Sequence, residues 1–237
     1  MALPKLNTPT YELEVPSTDE KIKYRPFLVK EEKILMIAME SKDNAQIVTA
    51  VKDIVQECTF NKLDIANIPM FDVEYIFLNI RAKSVGEISK LKLLCPDDKQ
   101  TYADAEVDLS KVEVQVGPNH TNKIELTDEM GLIMTYPTID SFTGSGIQTI
   151  NATNMLEVVG SCILQIYEEK GEKVYQAKDQ TKKELTEFIE SMNTGQFKRV
   201  QEFFDTMPKL KHTIKVKNPK TKKSSDITLE GLNDFFA

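Results

Sequence analysis

The segment FDVEYIFLNIRAKSVGE, residues 71–87, constrains this chain more than any other. On a helix at about 100° per residue, Phe71, Val73, Tyr75, Ile76, Phe77, Leu78, Ile80, Ala82 and Val85 spread over most of the circumference. Asp72, Asn79 and Lys83 gather on one narrow stripe, which is expected to face solvent. A helix this apolar must be covered on more than one side, so the fold has to place it centrally. Glu74 and Arg81 intrude on the apolar arc, nearly opposite the stripe. Seven residues at about 1.5 Å each separate their Cα atoms by about 10 Å, a stretch for a direct pair. Burying either charge unpaired is costly. Each is therefore expected to meet its own partner, inside the fold or across an interface, and both are candidate partner-binding residues.

The remaining segments supply the cover. Residues 10–26 read as a hairpin around the turn-rich PSTDE, followed by helices at 28–42 and 44–58. The second helix repeats Ile47, Val48, Val51, Ile54, Val55 and Cys58 at 3.6-residue spacing. Pro69 sits just before the central helix, where a missing N–H is tolerated. After Gly86 the period changes. KLKLLCP, AEVDLSKVEVQV, NKIEL and GLIMTYP are short and β-rich, separated by PDDKQ and GPNHTN. Residues 88–137 thus read as a small antiparallel β-subdomain, and 138–150, with Gly144-Ser145-Gly146, as a flexible connection. Helices are expected again at about 152–169 and 179–206, with a break near Asn193-Thr194-Gly195. HTIKVKNPKTKKSSDITLE then reads as a second hairpin, and GLNDFFA as a short terminal helix packing its two phenylalanines.

The expected fold is α+β: a helical body with N- and C-terminal β-hairpins and an inserted small antiparallel β-subdomain. Three consecutive blocks follow, at 1–87, 88–150 and 151–237. A chain of 237 residues is long enough for a real core, and 41% hydrophobic with 28% charged residues is ordinary for a soluble globular protein.

The search for chemistry returns little. The two histidines, His120 and His212, lack a second His at metal-ligand spacing and a neighbouring nucleophile motif, and His120 reads as a solvated turn residue. Cys95-Pro96 resembles half of a zinc knuckle, but Asp97 and Asp98 stand where the second ligand belongs. The GSG at 144–146 lacks the Lys-Ser/Thr of a phosphate-binding loop. The acidic pairs Asp97/Asp98, Glu168/Glu169 and Glu31/Glu32 read as solvated surface. No catalytic residue, cofactor, metal site or small-molecule substrate is expected. The odd, dispersed cysteines Cys58, Cys95 and Cys162 fit a reducing compartment. The first residues lack a signal-peptide core, and no apolar run approaches the roughly 20 residues that span a membrane, so a soluble, cytoplasmic protein is expected.

Net charge is −7, which argues against nucleic-acid binding by bulk electrostatics. Residues 209–223, however, carry seven lysines and no acid. Lys215, Lys217, Lys220, Lys222 and Lys223 crowd the predicted hairpin tip. They read either as an edge-protecting solvated hairpin or as a contact for an acidic protein or nucleic acid. Few aromatics are interleaved, which weakens a single-strand-binding reading.

FDVEYIFLNIRAKSVGE resembles the signature helix of T4-like bacteriophage baseplate hub subunits and hub-assembly proteins. YELEVPSTDEKIKYRPFLVKEEKILMIAMES resembles their opening hairpin and helix, and KIELTDEMGLIMTYPT their central β-motif. QFKRVQEFFDTMPKLKHTIKVKNP and GLNDFF resemble their closing segment, so both ends and the middle agree in order. The lone Cys95 departs from relatives that would carry a second cysteine nearby. The resemblance implies a non-enzymatic protein made in the host bacterial cytoplasm. It would bind other tail proteins, the tape-measure protein among the candidates, to build the hub of a contractile-tail baseplate. The first ~60 residues also look broadly like tail-assembly chaperones, which implies the alternative of a transient tape-measure chaperone absent from the mature virion.

Overall fold

A computed structural model describes residues 6–41, 43–143, 155–168 and 172–235. The elements run β1 (Tyr11–Glu14), β2 (Lys21–Tyr24), α1 (Val29–Ser41), α2 (Asn44–Cys58), α3 (Met70–Val85), β3 (Ile88–Leu94), β4 (Tyr102–Asp108) and β5 (Glu113–Gln115). They continue β6 (Lys123–Glu125), β7 (Gly131–Met134), α4 (Ile139–Thr143), α5 (Met155–Ser161), β8 (Ile163–Glu168) and β9 (Lys173–Gln176). The chain closes with α6 (Lys182–Glu190), α7 (Thr194–Thr206), β10 (Lys209–Lys217), β11 (Ser224–Glu230) and a 3₁₀ turn at Leu232–Phe235. The fold is α+β, with small antiparallel sheets beside the helices. Its contacts form two compact units, 1–115 with 209–237, and 116–208. This grouping differs from consecutive blocks because β10 returns to pair with β5.

In the first unit α3 is central, as its composition requires. Phe71, Val73, Ile76, Phe77, Leu78 and Ile80 are all at most 5% exposed. Leu78 and Ala82 pack into a cluster with Leu91, Val107, Leu210, Leu229 and Phe235. Gly86, at φ 130°, ends the helix in a conformation that disfavours a side chain. The stripe expected to face solvent does so at Lys83, which is exposed, and is corrected at Asp72. Asp72 is 0% exposed, because the β1–β2 turn lies over it: Ser17 donates to Asp72 through its backbone N–H (3.1 Å) and its hydroxyl. Asn79 is half-buried and donates back to the Tyr75 carbonyl (2.9 Å). Lys83, at the other end, bridges Glu87 (2.5 Å) and lies over the Tyr11 ring. A polar stripe can thus be covered by another element when that element brings donors.

The strands of 88–137 are distributed over three sheets. β3 and β4 pair with each other, β5 joins β10 and β11, and β6 and β7 join β8 and β9. A strand of three residues such as β5 or β6 has no partner preference strong enough to read locally.

The second unit is the four-stranded sheet β6-β7-β8-β9 with the helices that cover it. Its core gathers Leu132, Met134, Ile163, Ile189, Val200 and Phe203. The helix expected at 152–169 is corrected: after α5 the chain turns at Cys162 and ILQIYE becomes strand β8, hydrogen-bonded on both sides by β7 and β9. A short apolar run carries no decisive period, and a vacant central place in a sheet wins. The break near Asn193 is an N-cap: Asn193 Oδ1 accepts from the Gln196 N–H and the Gln196 side chain accepts from the Asn193 N–H. Residues 144–146, Glu169 and Phe236 lie outside the described residues, whereas Phe235 is fully buried.

Candidate functional site

Glu74 finds a partner within the fold. Its Oε1 accepts from the backbone N–H of Leu232 at 3.2 Å, and Gly231, at φ 70°, presents no Cβ toward it. Burial pushes this carboxyl up to about 7; the Leu232 N–H opposes the rise and the charge of Glu230 adds to it. Glu74 is therefore an anchor for the turn after β11.

Arg81 faces a different environment. It lines a groove of about 570 Å³ whose walls include Leu35, Met36 and Met39 from α1, Val51 from α2, and Phe77 from α3. Its guanidinium donates to the Gly86 carbonyl at 3.3 Å, and burial holds its pKa below the usual arginine value. Glu32 and Lys90 also border the groove.

Helix α1 itself is the feature sequence reasoning passed over. Of its large apolar residues, Ile34, Met36, Ile37 and Met39 are 46–57% exposed, and only Glu31 and Ala38 are buried. The start of the helix is held by polar contacts. Glu31 pairs with Arg25 (2.9 Å) and Lys30 (3.2 Å) and accepts from the Leu28 N–H (2.7 Å). Burial alone would raise the Glu31 pKa; these hydrogen bonds outweigh it and hold the carboxylate below its ordinary range. The signal lay in ILMIAM, an apolar run around a whole turn with no partner face to match.

The basic hairpin is a rigid platform. Asn218, 1% exposed, accepts at Oδ1 from the Lys220 (2.8 Å) and Thr221 (3.1 Å) N–H groups and donates from Nδ2 to Asp97 (2.8 Å). The Thr221 hydroxyl also donates to Asp97. Lys220, Lys222 and Lys223 are exposed at the tip, and Lys222 donates to the Pro219 carbonyl (2.7 Å). Lys215 and Lys217 are exposed on one face of β10, opposite Asp226 and Ser224. Asp97 thus ties the β3–β4 turn to the hairpin tip.

His120 is corrected from a solvated turn residue. Its Nδ1 lies 3.0 Å from the Thr206 hydroxyl and its Nε2 3.0 Å from the Tyr136 hydroxyl, with Phe203 beside the ring. Because Thr206 donates its own proton to the Glu202 carbonyl (2.6 Å), the ring donates from Nδ1 and accepts from Tyr136 at Nε2. Burial lowers its pKa. Cys58 and Cys162 are buried thiols pushed up to about 11 and about 12, which leaves them unreactive. No group of three metal-ligating side chains occurs among the described residues.

The geometry offers three exposed features: an apolar groove lined in part by Arg81, a helix with exposed apolar side chains, and a braced lysine tip. Residues 8–237 match the family model described as T4 bacteriophage base plate protein. The chain belongs to that family. No match to it is found among curated proteins or solved structures. The match covers nearly the whole chain and includes both compact units. Membership makes this a phage baseplate structural protein, with the virion tail as its place and other tail proteins as its company. No helix among the described residues is long and apolar enough to cross a membrane.

Proposed function

We propose that this baseplate protein is a non-enzymatic structural or assembly component of the hub of a contractile tail, acting by binding other tail proteins. The family match over residues 8–237 carries this reading. The exposed apolar side chains of α1 and the braced basic hairpin support it, since exposed apolar patches and clustered charge are what protein partners bind. Arg81, Lys215, Lys217, Lys220, Lys222 and Lys223 are the residues proposed to face partners, while Glu74 acts within the fold. Mass spectrometry of purified virions and isolated baseplates tests the proposal, with stoichiometric peptides as the expected result.

The second reading is a transient chaperone for the tape-measure protein, assembled in the host cytoplasm and absent from the mature particle. The methionine-bearing exposed face of α1 favours it, because methionine adapts to varied apolar clients. Tails that require the protein yet contain none of it would establish this reading over the first. A nucleic-acid role rests on the lysine tip alone. If the unmodified protein binds no DNA at low salt, that role is excluded; if it binds, neutralising Lys220, Lys222 and Lys223 should abolish the salt-sensitive part.

A further inference from the structure

The groove between α1 and α3 is lined by side chains that a finished protein would normally bury. A helix with apolar residues all round is stable in water only when most of them are covered. Here α3 meets that condition, whereas the apolar run at 34–39 of the otherwise charged α1 is left largely uncovered: Met36 and Met39 stand 57% and 49% exposed at the groove wall. We infer that this groove docks a helical segment of another baseplate protein, presenting apolar side chains at i, i+3 or i+4, and i+7 with one carboxylate directed at Arg81. The inference rests on the proposed baseplate-binding function and names the partner chemistry.

Three observations define the occupant. The 13 residues of α1 extend about 20 Å, room for three turns of a partner helix and hence for three apolar anchors. The wall presents two unbranched methionines, Met36 and Met39, which repack around anchors of differing shape. Arg81 and Lys90 against the single acid Glu32 give the groove lining a positive balance, which decides the polar part. A guanidinium in a groove that Phe77 and Met36 also line attracts a carboxylate strongly once water leaves and repels a basic partner. A second copy of this chain does not fit, because a two-fold contact would set concave surface against concave surface and leave both unfilled. Nucleic acid does not fit a lining this apolar, in which Glu32 offsets one of the two cations, Arg81 and Lys90.

The test uses the full chain supplied in trans to phage lacking it, with incorporation into baseplates measured by quantitative mass spectrometry. Met36→Lys/Met39→Lys alters exposed positions and should keep the wild-type melting temperature while incorporation falls at least about tenfold. Arg81→Glu should lower incorporation comparably; Arg81→Gln serves in its place if the charge reversal lowers the melting temperature. A photo-crosslinker at Met36 should join a segment of a different tail protein with apolar residues at helical spacing and an Asp or Glu within one turn. Reversing that acid to Lys should restore incorporation of Arg81→Glu. Normal incorporation of the methionine variant, a crosslink to a second copy, or a crosslinked segment without an acid would each overturn the inference. Wild-type protein missing from baseplates that form without it would instead overturn the function on which the inference rests.

Discussion

Glu74 shows how a single carboxyl can write a pH dependence into the whole fold. Its pKa near 7 in the folded state lies above the ordinary glutamate value of about 4.3. Between these limits the folded chain keeps a proton that the unfolded chain has released. The Glu74 contribution to stability then falls as pH rises through about 4.5 to 7 and levels off above. The displacement amounts to on the order of 3 kcal/mol. Glu74→Gln keeps an acceptor for the Leu232 N–H and cannot ionise. Urea unfolding at pH 5 and pH 8 should therefore show wild type losing about 2–3 kcal/mol more than the variant, which becomes the more stable at pH 8. Parallel losses in the two proteins would contradict this. At Gly131 the constraint is steric. A Cβ there would overlap the Tyr167 ring across the β7–β8 pair and the Ile124 carbonyl across β6–β7. Gly131→Ala should cost about 2–3 kcal/mol in thermal unfolding, and adding Tyr167→Ala should not rescue it, because the backbone carbonyl stays in place. Helical projection alone singles out Glu74 and Arg81. Their partners were not legible, because Leu232 lies 158 residues from Glu74 and only the folded chain joins them. Asp72 misled for the same reason: its cover, Ser17, belongs to another element.

Elements whose signal is local were legible. Both hairpins follow from alternation around turn residues, and α2, α3, α6 and α7 from period and capping. Elements whose state is set by neighbours were not. ILQIYE is equally apolar as helix or strand until β7 and β9 flank it. The basic hairpin illustrates a third case, where the element was legible but its rigidity was not. The brace is a buried side chain, Asn218, that satisfies two tip amides and reaches Asp97 in the β3–β4 turn. Asn218→Ala leaves those groups unpaired and should cost about 1–3 kcal/mol. Amide exchange at Lys220 and Thr221 should accelerate well beyond the global change, since these donors lose their acceptor directly. Unchanged exchange there would mean that the turn, and not the side chain, orders the tip.

The whole molecule follows from one register. Gln115 at the end of β5 pairs with Lys209 at the start of β10, antiparallel, with Val114 on Leu210 and Glu113 on Lys211. The chain therefore leaves the first unit and re-enters it at neighbouring strand ends, and residues 116–208 are an excursion within what would otherwise be a hairpin. Antiparallel ends in this relation are joined in ordinary hairpins by two residues such as Asn-Gly. Each unit also owns a core: Leu78, Val107, Leu210 and Phe235 in the first, Met134, Ile163, Val200 and Phe203 in the second. Replacing Val116–Pro208 with Asn-Gly should thus yield a cooperatively folding protein that keeps the first unit's core, and residues 116–208 alone should fold around theirs. Thermal unfolding followed by circular dichroism, with amide protection at Leu78 and Leu210, checks the first. The same measurement at Ile163 and Phe203 checks the second. A shortened protein that melts without a transition would show that the β5–β10 register, only three pairs long, depends on the excursion it brackets.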